Sequence, residues 1–133
     1  MITTNALPAA YGKGRLITLW TLSSLAALVF IGAGGAKLAG AAVMVDMFAK
    51  VGLGQWFRYF TGLLEVVGGI GLLTFRHAFY AAILLAVVMV GAIVAHLALL
   101  GGSPAPALVL LVLSGIIAYL RKPESISRQR SRA

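Results

Sequence analysis

The chain has 133 residues, enough for a single domain, of which 61% are hydrophobic and only 11% charged. Soluble domains run closer to half apolar and a quarter charged, so lipid is the expected solvent for most of this surface. The net charge is +8, yet the basic residues gather at the chain ends and beside apolar runs; this excludes a nucleic-acid surface and reads as a topology signal. The absence of cysteine excludes disulfides, thiol relays, iron–sulfur clusters and cysteine zinc sites within this chain.

Residues 1–15 read as a loosely ordered tail, with Pro8, Gly12 and Gly14 opposing helix formation. A first span is expected at about 16–36, close to the twenty residues a bilayer core requires. A cleaved signal peptide is the competing reading, but the apolar run exceeds the usual 7–15 residues and three further spans follow. Gly32, Ala36 and Gly40 recur every four residues, spacing that lets a second helix backbone approach closely.

Between about 41 and 55, Val43, Met44, Met47, Phe48 and Val51 fall on one helical face and Asp46 and Lys50 on the other. That pattern predicts a short amphipathic helix in the membrane interface, ended by Gly52 and Gly54. A second span is expected at about 56–75, opening on the aromatic group Trp56, Phe57, Tyr59 and Phe60. The third is expected at 78–100, after the basic turn Arg76-His77, and the fourth at 104–120 after the Gly/Pro-rich turn 101–106. From 121 to 133 the tail is basic and polar and reads as disordered. The predicted fold is therefore all-α, one membrane domain over 1–133, a four-helix bundle with an interfacial helix between spans one and two.

Four spans put both termini and the 76–77 turn on one side, with eight of the eleven Lys and Arg. Lys37, Lys50 and Arg58 lie opposite. The positive-inside rule then places the termini in the cytoplasm.

An ionisable residue inside a span costs several kcal/mol on insertion scales and asks for a reason. Glu65 is expected roughly 13 Å below the outer surface, near mid-bilayer, and His96 about 6 Å below it. Lys37 and Arg58 mark the outer ends of spans one and two, with Tyr59 at the rim. These five are the candidates for a polar pocket in the outer half of the bundle. Plain structural readings stand beside that one: Lys37 and Arg58 snorkel to headgroups, Glu65 pairs with either of them, and His96 hydrogen-bonds across helices. Gly62, Gly69, Gly91 and Ala95 join Gly32, Ala36 and Gly40 as helix-packing candidates. A quinone ring suits the pocket, because its oxygens accept hydrogen bonds from His, Lys, Arg or Tyr. A shared metal or haem between His77 and His96 is excluded within a monomer, since nineteen helical residues separate them by about 28 Å. No metal, haem or iron–sulfur cofactor is expected in this chain.

The run Gly34-Gly-Ala-Lys37-Leu38, then Gly62-Leu-Leu-Glu65 in the second span, and Ala95-His96 in the third, in that order and spacing, resembles the DoxX-like family of small bacterial membrane proteins over about 20–120. The resemblance implies a four-helix inner-membrane subunit linked to respiratory or sulfur redox chemistry, with Lys37, Gly62, Glu65 and His96 as motif positions. It implies a quinone-interacting subunit that is not expected to be catalytic alone. A non-catalytic accessory subunit of a larger membrane complex, or a homo-oligomer, is the alternative; a small proton-coupled transporter is a second one.

Overall fold

The structure is a computed structural model that describes residues 12–122. The first eleven residues and most of the basic tail lie outside the described residues. Those described are helical apart from short connections.

Helix α1 spans Lys13–Ala39, longer at both ends than the sequence pattern indicates. Gly14 is accommodated because the first turn is exposed and Leu16 N–H already bonds the Gly12 carbonyl at 3.1 Å. The helix ends at Gly40, whose φ of 74° lies in the left-handed region that favours glycine. Helix α2, Ala42–Val51, is the amphipathic segment and ends the same way at Gly52. Helix α3 covers Gln55–Leu72, stopping three residues short of the expected Phe75. There the Thr74 hydroxyl donates to the Gly71 carbonyl at 2.8 Å and closes a tight turn.

Helix α4, Ala78–Ala95, passes into one π-helical turn over His96–Leu100, closed by Gly101 N–H donating to the His96 carbonyl at 3.0 Å. Such wide turns occur mostly as single interruptions of α-helices, often at functional sites. Helix α5, Ala105–Leu120, begins after Pro104. Two helical stretches, Lys13–Ala39 and Ala78–Leu100, are long and apolar enough to cross a membrane.

Helix α1 packs on α3, α3 on α4, α4 on α5, and α5 returns to α1. The core uses small residues: Ala26 and Ala27 of α1, Ala81 and Ala82 of α4, and Ala107 and Ala118 of α5 surround Phe30, Leu72, Leu85 and Ile117. Helix α3 meets its two neighbours through two sets of glycines. On the α1 side, a methyl added at Gly62 would lie 2.9 Å from Lys37 Cβ, and one at Gly69 would lie 2.7 Å from Ile31 Cγ1. On the α4 side, Gly68 faces Leu85 and Gly71 faces Ala81 at similarly short range. Backbones in such contact gain dispersion energy that bulkier residues would forfeit.

Not every small residue serves this purpose. A methyl added at Gly32 or Gly91 would have no neighbour within 4 Å, so neither is a helix contact among the described residues. The close partner on α1 is Gly34, where a methyl would sit 2.6 Å from the Gly62 carbonyl oxygen. Gly40 ends a helix rather than packing one; only the Arg58 guanidinium approaches it. Ala36 and Ala95 are half-buried, and Ala95 borders a cavity.

At the end of the molecule holding Lys13 and Lys122, the Arg121 guanidinium donates to the Ser23 hydroxyl at 3.1 Å. It also lies over the rings of Trp20 and Phe75, 4.9 and 5.7 Å from their centroids. This cluster joins the start of α1, the end of α3 and the end of α5.

Candidate functional site

Near the turn at 73–77 the glycines hold α3 tight against α4. Farther from that turn, a cavity of about 540 Å³ is lined by residues of both helices. All five helices contribute to its wall, as does the π turn. Phe30, Phe48, Phe57 and Phe60 bring aromatic rings, and Met44, Met47 and Met89 bring sulfur. The volume is typical of small-molecule sites, which are largely apolar with a few convergent polar groups. Phe60 of α3 and Val87 of α4 line the cavity and are also exposed, so it is open to the surroundings rather than enclosed.

The polar side chains of the wall are Lys37, Thr61, Glu65 and His96. Lys37 Nζ donates to both oxygens of the Glu65 carboxylate, at 2.8 and 3.1 Å. Glu65 is 2% exposed, so its charge depends on this partner. The pair is local geometry made precise: Gly62 and Gly34 bring the α1 and α3 backbones together one turn away from each charge. Thr61 Oγ1 donates back to its own helix, 3.0 Å from the Phe57 carbonyl and 3.2 Å from that of Arg58. His96 Nδ1 lies 2.9 Å from the Ala92 carbonyl, one turn earlier on α4. It therefore bonds its own helix rather than bridging two helices.

Arg58 and Tyr59 fall outside the cavity wall. Arg58 is buried, at 4% exposure, and Nε donates to Gln55 Oε1 at 2.7 Å while Nη1 donates to the Lys37 carbonyl. Its charge thus sits at the C-terminal end of α1, where the unpaired carbonyls carry partial negative charge. Arg58 is a cap that holds the backbone of Lys37, and the Tyr59 ring packs on its guanidinium at 4.3 Å. Gln55 completes the brace, since its Nε2 donates to the Val45 carbonyl of α2 at 3.1 Å. The Phe48 and Phe57 rings, 5.9 Å apart, add a second tie between α2 and α3.

Several of these roles carry only a faint sequence signal. The apolar face of α2 reads from its spacing as a membrane-interface face alone, whereas Met44, Met47, Phe48 and Val51 also roof the cavity. Gln55 carries a local signal, three residues before Arg58 on the same face. Gly34 shares a face with Phe30 and Lys37, and that phase marks the buried side of α1 better than the 32/36/40 series.

No group of three or more His, Cys, Asp or Glu able to hold a metal occurs among the described residues. No curated protein and no solved structure matches the chain significantly. The model of the DoxX-like family matches residues 21–119, which takes in α1 from its third turn to the last turn of α5, and with them every cavity residue. The chain belongs to the DoxX-like family.

Proposed function

We propose that this is a multi-pass protein of the bacterial inner membrane, in which α1, α3, α4 and α5 form a membrane-spanning four-helix bundle, α2 lies along the outer interface and both termini are cytoplasmic. We propose further that the cavity receives the ring of a lipid-soluble redox carrier, a quinone in either oxidation state, in a subunit of respiratory or related redox machinery.

The membrane reading is supported by large apolar side chains exposed around the bundle, Leu28, Val109 and Leu97 among them. The basic residues Lys13, Arg15, Arg76, Arg121 and Lys122 gather at one end, as the positive-inside rule requires. The observation that carries the ligand reading is the cavity itself, with an apolar wall that includes four Phe and three Met and polar side chains from Lys37, Thr61, Glu65 and His96 alone; we read it as opening to the lipid between α3 and α4. A ligand diffusing in the bilayer enters such a site without crossing water. An apolar tail stays in the lipid while the polar ring reaches the charged pair.

A photoreactive short-chain quinone added to native membranes tests this. Labelled peptides are expected from 57–65 of α3 and from 87–96, which runs from α4 into the π turn, with protection by excess unmodified quinone. Labelling confined to other segments, or none, contradicts the assignment.

A second reading, as an accessory subunit docked to other membrane proteins, is favoured by the open space beside Gly32 and Gly115. Native mass spectrometry after mild solubilisation distinguishes it; a lone monomer counts against it.

A further inference from the structure

The cavity's hydrogen-bonding inventory is lopsided, and we infer that it selects the hydroxylated, reduced form of an aromatic ring (a hydroquinone or a simple phenol) over the carbonyl-only quinone. This inference rests on the cavity reading above and narrows the ligand class.

His96 sets the pattern. A backbone carbonyl has only lone pairs, so the contact between Nδ1 and the Ala92 oxygen at 2.9 Å puts a proton on Nδ1. In the neutral ring the other nitrogen, Nε2, is then an acceptor. Thr61 repeats the logic. Its hydroxyl hydrogen is directed at the Phe57 and Arg58 carbonyls, which leaves the oxygen lone pairs as what it offers the cavity. Glu65 is an acceptor as well, with two of its lone-pair sites taken by Lys37. Against these three acceptors stands one spare donor, the remaining N–H of the Lys37 ammonium.

A quinone presents only acceptor oxygens. It can engage the Lys37 N–H and leaves the other polar groups facing lone pairs. A hydroquinone presents two O–H donors whose oxygens also accept. One hydroxyl can meet His96 or Thr61 while the other lies against the Lys37–Glu65 pair. Leaving buried acceptors unmatched is costly in a dry site, and this is the basis of the selectivity. The Phe and Met wall favours a planar aromatic body for the ring itself.

The test measures equilibrium binding of a benzoquinone and its benzoquinol, with the same short alkyl tail, to the full chain in lipid nanodiscs under anaerobic conditions. The reduced form is expected to bind roughly tenfold more tightly, the ratio that one net hydrogen bond in a dry site supports. His96→Phe is expected to remove most of that preference, read as the ratio of the two affinities measured on the same variant. Thr61→Val, which keeps the shape and deletes the acceptor, reduces the preference in the same direction and guards against misfolding of the His96 variant. Equal or tighter binding of the quinone by the unaltered chain overturns the inference and leaves the cavity reading standing. Binding of neither form overturns both.

Discussion

Separating Lys37 from Glu65 is the most informative perturbation of stability. The pair makes two contacts of 2.8 and 3.1 Å, with side-chain exposures of 13% for Lys37 and 3% for Glu65. Glu65→Met strands the ammonium against an apolar cavity wall, with the Arg58 charge already engaged behind it. Removing one member of a buried pair costs about 3–5 kcal/mol, because the remaining charge keeps its desolvation penalty and loses its compensation. Lys37→Met strands the carboxylate and carries a cost of the same order. The double variant has no stranded charge, and two methionines fill similar volume. It is expected within about 1 kcal/mol of the unaltered protein, since a buried pair contributes little net stability relative to apolar replacements. Unfolding in mixed detergent–SDS micelles, followed by far-UV circular dichroism, supplies all four corners of the cycle. The predicted signature is a coupling energy of about 5 kcal/mol or more, the two single losses less that of the double variant. Single variants that unfold like the parent, or a double variant equal to the sum of the singles, would refute the reasoning.

Other outcomes follow from the same packing. Gly34→Ala pushes a methyl to 2.6 Å from the Gly62 carbonyl oxygen and is expected to cost about 1–3 kcal/mol, whereas Gly32→Ala meets open space and gains up to about 1 kcal/mol from helix propensity. Equal effects of the two, by the same unfolding assay, contradict the α1–α3 register. Arg58→Lys keeps the charge but cannot reproduce bonds to both Gln55 and the Lys37 carbonyl; a loss of about 1.5–3 kcal/mol is expected. Retention of full stability would argue that the cap contributes only charge. Because the chain has no cysteine, single cysteines report topology cleanly. Lys50→Cys should react with an impermeant maleimide on intact spheroplasts and Gly12→Cys only after permeabilisation; the reverse pattern inverts the proposed orientation.

Element positions are legible in the sequence because hydropathy and the glycine and proline breaks coincide. The amphipathic face of α2 is one such case, and the turn after Leu100 is another. Boundaries shift where exposed first turns tolerate glycine, as at Gly14, or where the Thr74 hydroxyl closes a helix early. Glu65 stands out by its improbability inside an apolar run. Choosing Lys37 over Arg58 as its partner requires the phase of α1 against α3, which depends on which glycines meet. Gly34 and Gly32 are indistinguishable by type and differ only in the face they occupy. Tyr59 shows the same limit. It neighbours Arg58 in sequence and stacks on it, yet that places it outside the cavity. The π turn beginning at His96 has no composition signal, and it helps set where the imidazole lies.

The central claim is that a lipid-soluble ring occupies the space between α3 and α4. Ala92→Phe places a ring inside that space from a half-buried wall position. Equilibrium binding of the short-chain benzoquinol to this variant in nanodiscs, with helicity and unfolding checked alongside, addresses the claim most directly. A loss of affinity of at least about tenfold, with the fold retained, is the predicted result, equivalent to about 1.4 kcal/mol. Undiminished binding by a folded variant would place the ligand elsewhere and contradict the claim.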